Sequence, residues 1–260
     1  MRTKPDWQFG TRSRVPERGR KTRIIARIIV WLTVIDLLAV AAAPPARFYH
    51  YLETIPAFQI FFTGILISLL LAVSGLLLAV VTAFMGIAVA WKRGLIVAVL
   101  GIMPALAVTL YLGPDRIKSP MIHDITTDTE NPPAFHQARK LRSARENSLD
   151  YGGAAVAEQQ LTAYPWIKPI IETELSREES LTRTVQVVLG LNWTLVNADF
   201  DTGLVEAYDT TRIFGFTDDI VIRVRAQGRG SRIDIRSVSR YGRGDLGMNA
   251  ARIRRFIAAF

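Results

Sequence analysis

Three long apolar runs between Ile24 and Leu112 decide most of what this chain can become. The first, Ile24 to Ala43, reads IIARIIVWLTVIDLLAVAAA. The second, Phe58 to Ala90, holds no charged residue, and the third, Gly94 to Leu112, reads GLIVAVLGIMPALAVTLYL. A helix rises about 1.5 Å per residue, so about 20 apolar residues cross the roughly 30 Å hydrocarbon layer of a bilayer. The first and third runs fit one crossing each. The middle run, with 33 residues, is too long for one upright span and too short for two with a polar turn. It is expected to form a single tilted helix. Three crossings then place residues 24–112 in the lipid bilayer. A cleaved leader is the rival reading of the first run, because Ala41-Ala42-Ala43 looks like a cleavage site. Pro44-Pro45 and the mid-run Asp36 argue against it.

Lys and Arg in the short flanks orient the spans. Residues 1–23 form a basic tail with eight Lys and Arg against two acids. The first connection carries only Arg47, and the second is Trp91-Lys92-Arg93. The tail and the second connection are therefore expected in the cytoplasm, and residues 113–260 outside, as the periplasmic domain of an inner-membrane protein. The net charge of +9 suggests nucleic acid until it is divided: +6 lies in residues 1–23, +2 in 24–112 and +1 in 113–260. Most of it is topology signal, and no nucleic-acid partner is expected. Within the domain, residues 113–211 carry −6 and residues 212–260 carry +7, so its halves are expected to attract. Zero cysteine excludes a disulfide scaffold and a thiolate site. A chain that is half apolar is not intrinsically disordered.

Inside the spans, Asp36 is a costly carboxylate. It is expected to be neutral and bonded to Thr33, Ser68, Ser74 or Thr82. The ladders Gly64-Ser68-Ala72, Gly75-Ala79-Ala83 and Gly101-Ala105 are expected to let helices approach closely, and Pro104 to kink the third.

From Gly113 the texture becomes globular. Residues 113–170 read as an irregular wrapping segment, with one short helix around Pro133 to Arg145. Residues 171–260 read as the core. Ser176 and Glu179 form a capping box ahead of a helix with Leu181, Val185, Val188 and Leu189 on one face. Four strand-like runs follow: Trp193 to Phe200, Leu204 to Thr210, Asp219 to Arg225 and Ser231 to Ser237. Asp201-Thr202-Gly203 and Gln227-Gly228-Arg229-Gly230 mark hairpins. A last helix from Asp245, its N-cap, to Phe260 buries Leu246, Ala250, Ile253, Ile257 and Phe260. The expected fold is α+β: three transmembrane helices, then a two-layer sandwich of a four-stranded antiparallel sheet and flanking helices.

The stretch Ile122 to Phe135, IHDITTDTENPPAF, resembles the opening signature of the domain of unknown function 1499 family. Tyr164-Pro165, Phe214 to Val224, Gly230 to Ser237, Ser239-Arg240 and Asp245 to Ala250 resemble its later blocks in the same order. The resemblance covers about residues 115–258. It implies a domain often carried on a membrane anchor, and no assigned chemistry.

Two groups of side chains are candidate sites. His123, Asp124, Asp128 and Glu130 offer metal-ligand chemistry in eight residues, but their spacing matches neither a zinc site nor an EF-hand. A turn network is the plainer reading, and neither metal nor cofactor is expected. On the last two strands, period two puts the isoleucines in the core and Arg223, Arg225, Arg232 and Arg236 on the opposite face, tempered by Asp234. Such a cluster is either laced by Asp234, Asp218 and Asp219 or binds an anion, since guanidinium groups match phosphate and carboxylate. No G-x-S-x-G, S-x-x-K or H-E-x-x-H pattern occurs, and Asp218-Asp219 must point to opposite sides of a strand. The expected function is a non-catalytic envelope binding module for an anionic lipid head group or acidic polymer. The alternatives are an assembly partner of another membrane protein or of its own copies and, less favoured, an envelope hydrolase.

Overall fold

In the computed structural model, which describes residues 17–260, the apolar runs are three helices: α1 (Glu17–Phe48), α2 (Thr54–Phe84) and α3 (Ala88–Ile117). Each is long and apolar enough to cross a membrane. The described residues divide into two units, one of residues up to 44 with 55–108, the other of 45–54 with 109–260. The basic tail before Glu17 lies outside the described residues.

The middle run is not one helix to Ala90. It stops at Phe84, and Met85-Gly86-Ile87 turns the chain into α3. Gly86 takes φ 71°, a conformation that suits glycine, so an apolar turn hides inside the run. Helix α1 continues through Pro44-Pro45 to Phe48. The interruption of helical angles in α3 falls at Gly113 (φ 72°), where the third apolar run ends, and not at Pro104.

Small residues line the buried face of α2: Ala57, Gly64, Ser68, Ala72, Gly75, Ala79 and Thr82, with Ile65 among them. A Cβ added to Gly94 would lie 2.6 Å from the Ala79 nitrogen and 2.6 Å from the Gly75 carbonyl oxygen. Helices α2 and α3 therefore meet backbone to backbone, held by close packing rather than by bulk. Gly64 leaves room for the Val40 side chain of α1. The ladders serve as expected except at Ala83, which is exposed while Thr82 takes its place, and Gly94 is an unforeseen partner. Asp36 is buried and accepts a hydrogen bond from the Ser68 hydroxyl.

In the second unit the elements are β1 (Asp124–Thr126), α4 (Ala138–Leu141), α5 (Ala154–Ala163), β2 (Ile170–Glu172), α6 (Arg177–Gly190), β3 (Thr194–Asp199), β4 (Leu204–Thr210), β5 (Thr217–Gln227), β6 (Gly230–Ser239) and α7 (Met248–Ala259). The sheet order is β1-β6-β5-β4-β3, with β2 also on β6, and every pairing is antiparallel. The sheet thus has six strands rather than four. The two extra strands are three residues each, too short for a periodic signal, and they arise in and at the end of the segment read as irregular. Both hairpins form as expected; Gly228 takes φ 62° in the two-residue turn between Gln227 and Gly230.

Helices α6 and α7 cover one face of the sheet. Leu181, Val187, Val188, Ile253 and Phe256 meet Ile220, Ile222, Val224, Ile233 and Ile235. The other face is covered over part of its length. Phe135, Ala138 and Leu149 lie on Val221 and Val238, so the wrapping segment forms a further layer. That corrects the two-layer expectation. Helix α7 starts at Met248 rather than Asp245. The Asp245 carboxylate nevertheless accepts from the Gly247 and Asn249 amides, while Leu246 is exposed.

The capping box of α6 is complete: the Ser176 hydroxyl accepts from the Glu179 amide, and Glu179 accepts from the Ser176 amide and hydroxyl. The Ser176 hydroxyl, then its amide, holds the Glu179 carboxyl below its ordinary value of 4.5. A lowered folded value means that the contribution is complete above the ordinary value and is lost as pH falls through the folded one. Ser176→Ala is expected to lower the thermal midpoint of this unit by ~2–4 °C at neutral pH. In scans below about pH 4 the difference from the parent should shrink.

Candidate functional site

Alternation puts Asp219, Val221, Arg223 and Arg225 of β5 on the face turned away from α6 and α7, opposite Val238, Arg236, Asp234 and Arg232 of β6. Arg225 directly faces Arg232 in the register, a repulsive pair unless something lies between. Two carboxylates do. Asp234 Oδ2 accepts from Arg225 Nη2 (2.7 Å) and Arg223 Nη2 (3.1 Å), and Asp234 Oδ1 from Arg232 Nε (3.0 Å). Asp128, from the wrapping segment, accepts through Oδ2 from Arg232 Nη2 (3.1 Å) and Arg223 Nη2 (3.2 Å) and stands 3.5 Å from Arg225 Nη2. Three guanidinium groups thus share two carboxylates, leaving one net positive charge.

Exposure differs within the cluster. The Arg225 side chain is 41% exposed, Arg232 31% and Arg223 14%, while Asp234 is fully buried and Asp128 only 11% exposed. The Asp234 hydrogen bond, against the opposing pull of burial, raises the Arg232 guanidinium above its ordinary range, so it stays charged. Arg223 Nη2 also donates to the Asn131 carbonyl at 2.8 Å.

Arg236 does not join this group. It is buried and pairs bidentately with Asp124, Nη2 to Oδ2 at 2.6 Å and Nε to Oδ1 at 2.9 Å. Its remaining donors reach the Pro133 and Leu149 carbonyls, and the guanidinium lies over the Phe135 and Tyr151 rings at 5.3 and 5.4 Å. Burial, then the nearby Asp124 charge, pushes the Tyr151 hydroxyl up to about 12. The expected four-arginine cluster is therefore a three-arginine cluster beside a separate buried pair. No free arginine edge remains at position 236, because backbone carbonyls take the donors that Asp124 leaves.

The four polar-loop residues separate as well. His123 Nδ1 stands 3.4 Å from the Arg243 carbonyl, Asp124 holds Arg236, and Asp128 holds the arginine cluster while its Oδ1 accepts from the Asn131 amide. Glu130 is exposed. Among the described residues, no three His, Asp or Glu side chains come together as a metal site. His123 lines a shallow groove of about 400 Å³ with Asn147, Ser148, Asp150 and Arg243, where the Ser148 hydroxyl donates to Asp150 rather than to the imidazole.

Further ion pairs tie the wrapping segment to the sheet, and sequence reasoning missed their partners. Asp219, fully buried, accepts from Arg142 Nε (2.6 Å) and from Arg240 Nε (3.0 Å) and Nη2 (2.8 Å). Burial pulls Arg240 down, but the hydrogen bond and charge of Asp219 and the charge of Glu146 outweigh it and raise the group overall. Glu206 Oε1 accepts from the His136 and Gln137 amides at 2.9 Å, and its Oε2 from Ala138 at 2.7 Å, satisfying the first amides of α4. Asp218 turns the other way, to the buried Arg252 Nη2 at 2.7 Å, so the two adjacent aspartates do face opposite sides. A polar residue amid buried ones in β4 and the −6/+7 division of the domain were the available signals.

These features define a class: an α+β domain with a charged sheet face, carried behind three membrane-capable helices. The family model described as protein of unknown function (DUF1499) matches residues 124–260, and the chain belongs to that family. No curated protein matches the chain.

Replacing Glu206 with Ala leaves three buried or half-buried amides without their acceptor. A loss of about 1–3 kcal/mol is expected. Hydrogen exchange should show it as faster exchange at His136, Gln137 and Ala138 than in the parent.

Proposed function

We propose that this chain is a multi-pass inner-membrane protein with a cytoplasmic N-terminus. Its periplasmic domain binds an anionic component of the envelope, a lipid head group or an acidic polymer, without catalysing a reaction on it. The observation that carries the binding reading is the surplus charge of the Arg223–Arg225–Arg232 cluster. Two carboxylates cannot neutralise three guanidinium groups, and Arg225 and Arg232 keep edges open to solvent. Arginine forks held in place by buried carboxylates are preorganised for an incoming phosphate or carboxylate.

The non-catalytic part of the reading is supported by the directions of the polar groups: Asp128 and Asp218 act on opposite faces of the sheet. The assembly alternative drew on the small-residue ladders or the domain surface, and the ladder glycines are engaged within the chain: Gly64 by α1, Gly75 by α3 and Gly101 by α2.

The test of binding is Arg225→Ser with Arg232→Ser in the detergent-solubilised full chain. Binding to micelles doped with phosphatidylglycerol, or to an acidic glycan, is expected to fall at least about tenfold, the loss of two charge-assisted contacts. Unchanged binding, or a stable complex with another membrane protein that survives the substitutions, would remove the reading. Orientation is checked separately. A reporter active only in the periplasm, fused after Phe260, should be active; a silent fusion would reverse the topology.

A further inference from the structure

Resting on the anion-binding reading, we infer that the Arg223–Arg225–Arg232 cluster takes singly charged phosphodiesters in preference to doubly charged phosphomonoesters. The resident charges set this preference. Asp234 is fully buried and Asp128 nearly so, and each is bonded to at least two of the arginines. Neither carboxylate can turn to water without leaving guanidinium groups unpaired. The cluster therefore presents a fixed surplus of one positive charge, and a monoanion completes it. A dianion must shed far more hydration than a monoanion, a cost that rises as the square of the charge, and only one surplus positive charge is present to offset it.

A second observation indicates that an acceptor belongs here. Arg223 Nε is buried and has no hydrogen-bond acceptor among the described residues, although the Nη2 of the same side chain has three. A buried donor left without an acceptor is destabilising, and such groups are rare in folded proteins. The outward edges of Arg225 and Arg232 lie on neighbouring strands at directly opposed positions. They form the solvent side of the same cluster. The selectivity thus comes from Asp128 and Asp234 as much as from the arginines: the two acids set how much charge the site accepts.

The experiment uses the full chain in detergent at about pH 8, where a phosphomonoester with a second pKa of about 6 is doubly charged. The probes are glycerophosphoglycerol, a diester, and glycerol 3-phosphate, a monoester, titrated while the arginine side-chain signals are followed by NMR. The parent protein should bind the diester about five-fold more tightly, because the heavier dehydration of the dianion outweighs its extra attraction by about one unit-charge interaction in water. Asp128→Asn raises the surplus to two charges and should erase or reverse that order. Arg225→Ser with Arg232→Ser should abolish binding of both probes. Equal or tighter binding of the monoester by the parent, still dependent on the two arginines, overturns the selectivity and leaves the anion-binding reading standing. Binding of neither probe, or binding indifferent to the arginine substitutions, overturns both. The parent comparison needs no variant to fold. A parallel arm distinguishes the source of the diester. Micelles doped with phosphatidylglycerol or phosphatidic acid should reproduce the order if a lipid head group is the ligand. An order seen with the soluble probes alone assigns a polyol-phosphate chain.

Discussion

A bidentate pair between Asp124 and Arg236, both almost wholly buried, holds the acidic first part of the domain that follows the helices against its basic second part. Around it the same exchange recurs. The wrapping segment supplies Asp128 to Arg223 and Arg232, and Arg142 to Asp219; the sheet supplies Glu206 to the amides of α4. A segment with one four-residue helix between Asp128 and Leu149 cannot satisfy its own backbone or build its own core. It folds because side chains of the sheet accept its amides and donate to its carbonyls. Buried charge is costly unless both partners and the leftover donors are satisfied, and here they are: the Arg236 donors beyond Asp124 end on Pro133 and Leu149. The apolar contribution on this face is small, Phe135, Ala138 and Leu149 against Val221 and Val238. Geometry of ion pairs, not bulk burial, positions the layer.

That layer marks the limit of what the sequence made legible. Alternation in β5 and β6 correctly sent the isoleucines to α6 and α7 and the arginines to the other face, because period two is a backbone property. It could not say what covers the second face. The cover is held by long-range pairs such as Asp124 with Arg236, 112 residues apart, and local patterns carry no such information. Arg236 illustrates the consequence: it shares its face with the other arginines, yet a carboxylate and two carbonyls have taken its donors. Asp128 was read as a loop residue and proves to be the acid that bridges the cluster. The coarse signal was present in the −6 and +7 halves, which gives the direction of attraction without its partners. The capping box of α6, by contrast, is a local motif and was fully legible from Ser176 and Glu179.

The membrane unit shows the same division between local and tertiary information. Length and hydropathy suffice for three helices. The turn at Gly86 was missed because its neighbours are as apolar as the helices it joins, and only a positive φ distinguishes it. Gly64, Gly75 and Gly101 were recognisable as close-approach residues, while Gly94 acquires its role only when α3 lies against Ala79. Asp36 finds Ser68, one of the hydroxyls that its neighbourhood offered. The surplus of +9 that first suggested nucleic acid thus separates into a tail, a membrane unit and a nearly neutral domain. In that domain the ion pairs of the Arg223, Arg225 and Arg232 cluster leave a single positive charge over.

The central claim is that ion pairing, led by Asp124 and Arg236, docks the wrapping segment onto the sheet. A double-mutant cycle of Asp124→Asn and Arg236→Met tests it most directly. The stability of the second unit would be read from hydrogen exchange of the β5 and β6 amides in the detergent-solubilised full chain. Either single substitution should cost about 3–5 kcal/mol by stranding a buried charge or its carbonyl partners. The double should cost distinctly less than the sum, with a coupling of about 2–3 kcal/mol. Additive losses, with a coupling below about 0.5 kcal/mol, would mean that packing of Phe135 and Leu149 positions the layer and the ion pairs only decorate it.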